Sequence, residues 1–134
     1  MYDEDDCTMW TLGSFCDPIL DPDKVFEITD VMSGPSHEPP NITKMVCDLE
    51  LGDGQHVVCN TPAEARHYMI NSMMERFAFG VLSHDQVGHM VSAYRIDGDL
   101  QFRDFQIPPH DGQCVNPPEE ANCQYWIWPI IDAD

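Results

Sequence analysis

Twenty-four carboxylates stand against six lysine and arginine side chains in these 134 residues, a formal net charge of −18. Aspartate dominates, with 16 Asp to 8 Glu. Any fold this chain adopts must hold those groups at the surface and apart. Burying an unpaired carboxylate is costly, and crowding like charges destabilises the compact state. A small soluble domain usually carries a net charge of about 2 to 8 in magnitude. The counterweight is an apolar fraction of 43% with 10% aromatics, which suits a single domain over 1–134 with a real core.

The same charge excludes partners. A phosphate binder needs a basic face, and Lys24, Lys44, Arg66, Arg76, Arg95 and Arg103 are too few and too scattered to make one. Direct nucleic-acid binding and anionic membrane surfaces are therefore not expected, and a basic protein surface is. Duplex DNA carries one charge per about 1.7 Å of axis, so eighteen charges correspond to roughly 30 Å of duplex. A compact chain of this length is about 35 Å across. Its charge thus matches a DNA segment of its own length. No apolar run reaches 18 residues. Asp3-Glu4-Asp5-Asp6 stands where a secretory signal would be basic, so a cytoplasmic location is expected.

Local patterns point to an α+β fold. Residues 1–24 are acidic and irregular, with turns at Asp17-Pro18 and Asp21-Pro22-Asp23, and Met9, Trp10, Leu12 and Phe15 pin them to the core. A short strand is expected at Val25–Met32, then a Pro-rich loop over 33–42. In Met45–Asn60, Cys47, Leu49 and Leu51 alternate with Asp48 and Glu50 ahead of Gly52-Asp53-Gly54. This predicts a β-hairpin with Cys47 opposite Cys59. Thr61-Pro62-Ala63-Glu64 starts a helix with a capping box; Ala65, Met69, Met73 and Phe77 form its stripe, and Gly80 ends it. A second helix is expected from Ser83 to Asp97-Gly98-Asp99, with Val87, Met90, Val91 and Tyr94 as its stripe. Antiparallel strands follow at Leu100–Ile107, with a bulge, and at Tyr125–Trp128, separated by a Pro-rich loop over 108–123. Pro129 restricts the last strand to an edge or a strand end.

Motifs for chemistry are absent. The six cysteines are even in number, and Cys47 and Cys59 suit a bridge across the hairpin, but buried free thiols account for them as well. No C-x₂₋₄-C pair marks a zinc site; only convergence of Cys7, Cys16, Cys114 and Cys123 would make one. The stretch from Asp21 lacks the glycine and glutamate of a calcium loop, with Phe26 and Met32 in those places. There is no G-x-S-x-G and no phosphate-binding loop. A Cys–His pair can meet in space, since both types are plentiful, but no spacing marks which one. No catalytic residue, metal site or cofactor is therefore assigned.

In size and acidity the chain resembles the small acidic inhibitors encoded by phages and mobile elements, among them DNA mimics that block restriction or CRISPR effectors. That resemblance implies a non-catalytic binding protein whose carboxylates occupy a basic nucleic-acid channel of a host defence complex, steered by charge and held by aromatic anchors. The expected partner-binding residues are Asp3, Glu4, Asp5, Asp6, Asp17, Asp21 and Asp23, then Asp97, Asp99 and Asp104, then Glu119, Glu120, Trp126, Trp128, Asp132 and Asp134. A cation-stabilised assembly or virion protein, and a Cys/His enzyme, are the alternatives.

Overall fold

A six-stranded antiparallel sheet, in the order β1-β6-β2-β3-β4-β5, organises the molecule. The computed structural model describes residues 7–31, 39–83, 86–117 and 123–131. Along the chain these form α1 (Cys7–Ser14), α2 (Pro22–Thr29), α3 (Pro39–Asp48), β1 (Val57–Cys59), α4 (Pro62–Asn71), β2 (Arg76–Ser83), β3 (Gln86–Ile96), β4 (Asp99–Asp104), β5 (Gln113–Val115) and β6 (Gln124–Ile130). The fold is α+β, as expected, but most elements sit elsewhere than the sequence pattern placed them.

Both faces of the sheet are covered. Helices α1–α3 close one side over Ala78, Leu82, Met90, Trp128 and Ile130. Helix α4 lies on the other side, over Phe77, Phe79, Val91, Ala93, Tyr125 and Ile127. A strand buried on both sides reads as a continuous apolar run instead of an alternation. This is why 76–83 and 86–96 resemble helices in the sequence: Phe77-Ala78-Phe79 supplies apolar residues at every spacing, helical ones included. In the structure the two segments are paired strands, with Phe77 opposite Ala93 and Phe79 opposite Val91. Gly80 is no helix terminus; it lies mid-strand between Met90 and Trp126. Asp97 and Gly98 take φ of 53° and 84°, the geometry of a two-residue hairpin turn joining β3 to β4.

The helix starts follow cap chemistry. Thr61 Oγ1 accepts the Glu64 N–H at 3.1 Å, and Glu64 Oε2 accepts the Asn60 N–H at 3.4 Å, so α4 begins as expected. It stops at Asn71, where Arg95 crosses from β3 to donate to the carbonyls of Ile70 and Ser72. The expected strand at Val25–Met32 is instead α2. Asp21 caps it, accepting the Lys24 N–H at 2.9 Å, and Pro22 opens it. Asp-Pro keeps Asp21 extended, as a turn would, but an extended N-cap followed by proline is also how a helix begins. Two prolines likewise open α3, whose buried Ile42, Met45 and Val46 replace the expected hairpin strand at Met45. Cys47 is exposed on α3 and Cys59 is buried on β1, which pairs with β6, so the two thiols do not face each other.

The remaining corrections are shorter. Residues 7–14 and 22–24 are helical, not irregular, although Met9, Trp10, Leu12 and Phe15 are buried as expected. Residues 39–42 of the expected loop are helical, and its earlier part lies outside the described residues. Strand β4 ends at Asp104, so Phe105 and Ile107 are out of phase because they belong to the following turn. The loop over 108–123 contains the short edge strand β5. Strand β6 is internal; Pro129 stands near its end, two residues beyond Ile127, the last to pair with β1.

Helix α1 is buried on every side from Cys7 to Gly13. Its chain end approaches so closely that a Cβ on Gly13 would sit 2.2 Å from the Leu20 carbonyl oxygen. Gly13→Ala should therefore destabilise the fold by about 1–3 kcal/mol, read as a lower urea midpoint with unchanged slope.

Candidate cysteine–histidine–aspartate site

Helix α1 delivers Cys7 to the sheet. Thr11 Oγ1 donates to the Met90 carbonyl at 3.2 Å, and Ser14 and Ser92 share a hydroxyl hydrogen bond of 2.9 Å, so α1 is moored along β3. The Cys7 thiol lies beside the imidazole of His89 on β3, close enough to raise its pKa. His89 Nε2 in turn meets Asp104 Oδ2 at 3.0 Å, on the last residue of β4. The other carboxylate oxygen accepts the Gln106 N–H at 2.9 Å. Thiol, imidazole and carboxylate are thus brought together from α1, β3 and β4, with the hydrogen bond running between imidazole and carboxylate.

Asp104 is 5% exposed and Cys7 2%, whereas 35% of the His89 side chain is open. The cluster therefore meets solvent through the imidazole. The hydrogen bond to Asp104, followed by the neighbouring Cys7 thiol, pushes the His89 pKa up to about 10 against the opposing effect of burial, so the ring is a cation at neutral pH. Burial raises the thiols of Cys16 and Cys59; Arg76 opposes this at Cys16, and Glu64 adds to it at Cys59. One turn beyond Cys7, Trp10 stacks on His110 with centroids 3.9 Å apart. His110 Nδ1 lies 2.9 Å from the Phe105 carbonyl oxygen, which ties the turn after Asp104 against α1.

The residues expected to face a partner separate. Asp17, Asp21 and Asp23 are exposed around the start of α2, and Asp97 and Asp99 are exposed at the β3–β4 turn. Asp104 is in the interior with His89. Trp128 is fully buried and donates to Thr43 Oγ1 at 3.2 Å; Trp126 is half-buried and stacks on His56 at 4.5 Å. Asp3, Glu4, Asp5, Asp6, Glu119, Glu120, Asp132 and Asp134 lie outside the described residues. Among the described residues, no group of three His, Cys, Asp or Glu side chains is arranged to hold a metal ion. Cys7 and Cys16 lie at opposite ends of α1, and no described helix is long and apolar enough to cross a membrane.

The site escaped the sequence because its members are separated by whole elements. The usable signal was Asp97-Gly98: a hairpin turn there fixes the β3–β4 register at Ile96↔Asp99 and Ser92↔Arg103. Extending that register by one pair sets Asp104 level with Val91, two residues along from His89. Comparison with protein families, curated proteins and solved structures finds no match to this chain.

The His89 shift has a defined sign. The folded pKa lies above the unfolded one, so its stabilisation is complete below about pH 6.5 and is lost as pH rises towards 10. The urea midpoint of the protein should fall across that window, and His89→Gln should flatten the difference. Identical pH slopes for the two proteins would contradict it.

Proposed function

We propose that the chain is a cysteine-dependent acyl-transfer enzyme, with Cys7 as nucleophile, His89 as acid–base and Asp104 holding the ring. The observation that carries this reading is the His89–Asp104 hydrogen bond of 3.0 Å with the Cys7 thiol beside the same imidazole. Each member suits its role. Cys7 is the first described residue of α1 and stands beside the His89 imidazolium. Asp104 fixes the orientation of His89, as the third member of a nucleophile–base pair does. Sγ attacks the acyl carbon of an amide or ester, and a C–S bond forms. His89 passes its proton to the departing amine or alcohol as the C–N or C–O bond breaks. The neutral His89 that this leaves takes a proton from water as it attacks the thioester, the carboxylic acid departs as the C–S bond breaks, and the Cys7 thiolate and His89 imidazolium are restored. In an activated-ester assay with peptide mapping, the acyl group should appear on Cys7. Cys7→Ala should abolish labelling, and His89→Ala should slow it by about 10²-fold or more. Labelling that favours the exposed Cys47, or a rate indifferent to His89, would remove this reading.

A second reading rests on the net charge of −18. We propose that the carboxylate surface engages a basic protein surface of the kind that otherwise holds nucleic acid, blocking it as a DNA mimic would. Exposed Asp17, Asp21, Asp23, Glu27 and Asp30 between α1 and the end of α2 support this. It is compatible with catalysis, since charge acts at long range and the triad at contact. Protein immobilised in bacterial lysate at low salt should retain one nucleic-acid-binding protein or complex, released by salt and displaced by added duplex DNA. Retention of only assorted basic ribosomal proteins would count against it.

A further inference from the structure

A groove of about 410 Å³ opens at the end of α1 away from Cys7, between α2 and the turn that follows α3. Its floor is Phe15, Leu20, Leu49 and Leu51, and its wall carries Ile28 and Ile131, which are 52% and 47% exposed. Asp17, Asp48 and Glu50 line its rim. Exposed apolar side chains beside a fixed cavity mark a surface suited to a partner.

Two cations lie close, and both are held by the protein itself. Lys44 Nζ bonds Asp48 and the Thr29 carbonyl. Arg76 Nη2 donates to the Ile131 carbonyl at 2.7 Å, and its guanidinium sits 5.7 Å from the Phe15 ring centroid. Within α1–α3 and their flanks, Asp17, Asp21, Asp23, Glu27, Asp30, Asp48 and Glu50 outnumber Lys24 and Lys44. The surroundings are therefore anionic and the floor apolar.

The groove offers no strand edge. The sheet ends at β1 and β5, and the backbone here is already used, the Ile131 N–H donating to the Leu51 carbonyl at 2.7 Å. Recognition must run through side chains, which favours a helix over an added strand. We propose that this groove docks an amphipathic helix of a basic partner protein, its apolar face against Phe15, Ile28 and Leu49 and its Lys or Arg residues over Asp17 and Glu50. This rests on the second reading above and names the form of the partner.

Three fluorescein-labelled peptides test it by anisotropy at about 0.1 M salt. One is a Leu/Lys helix with Leu at i, i+3, i+4 and i+7. The second has the same composition with that face scrambled, and the third is oligolysine of equal charge. The amphipathic helix should bind about tenfold more tightly than either control. Ile28→Asp should remove that advantage, and Glu50→Lys should weaken binding and its salt dependence. Both residues are exposed, so the variants should keep the parent melting temperature, and Glu50→Lys carries the test if Ile28→Asp does not. Equal binding of all three peptides, or an advantage that survives both variants, overturns the groove while leaving the acidic-surface reading intact. Failure of every basic peptide to bind overturns both. A concentration-dependent dimer abolished by Ile28→Asp would assign the groove to a second copy of this chain and overturn the proposal.

Discussion

Helix α1 carries no charged side chain and is buried on every side from Cys7 to Gly13, and its placement follows from that burial. With Met9, Leu12 and Phe15 in the core, α1 has the sheet beneath it and α2 and α3 against it. The Thr11 and Ser14 hydroxyls moor it to β3 at Met90 and Ser92. Those contacts fix both ends. The first residue arrives at His89, and the chain leaving its last turn supplies Phe15 to the groove floor. Gly13 is the condition for this, because any larger residue would strike the Leu20 carbonyl. One packed helix of eight residues thus sets the geometry of a polar site at one end and an apolar groove at the other.

The polar site is expensive to build. Asp104 is removed from water, and a buried carboxylate with no partner would be strongly unfavourable. His89 and the Gln106 N–H each occupy one of its oxygens, so neither is left bare. A structural pair would need no third member. The Cys7 thiol beside the imidazole adds one. That combination separates this cluster from the exposed ion pairs Lys24–Glu27 and Lys44–Asp48, which fasten surface helices and contribute little.

Fold class and the start of α4 were legible in the sequence; the starts of α2 and α3 and the identity of β2 and β3 were not. Thr61-Pro62-Ala63-Glu64 identified α4 because capping is local chemistry. Asp21-Pro22 misled because the same extended aspartate serves a turn or an N-cap. The strands β2 and β3 were unreadable for a longer-range reason. Only the presence of helices on both faces makes Phe77, Ala78 and Phe79 all interior, and no local period encodes it. The triad shared that fate, since His89 and Asp104 become neighbours only once β3 and β4 are known to pair. Of the aromatic anchors, Trp128 proved to be core, as apolar strand residues beside a Pro-limited strand end usually are.

Charge links the two ends of the molecule. A surplus of carboxylates lowers the potential everywhere, which disfavours a thiolate and favours an imidazolium. A nucleophilic cysteine in this chain therefore depends on its immediate partners to a degree that a neutral protein would not require. Asp104 meets that need by holding His89 cationic to about pH 10, placing a positive charge beside the thiol against the wider field. The wider field has its own use. It draws cationic molecules to the surface and repels anionic ones, so an acyl substrate carried on a basic protein would be enriched near Cys7 by the same carboxylates that attract a basic partner. The two proposed roles, acyl transfer and acidic recognition, would then be two ranges of one electrostatic arrangement, the first local to His89 and the second spread over the whole surface.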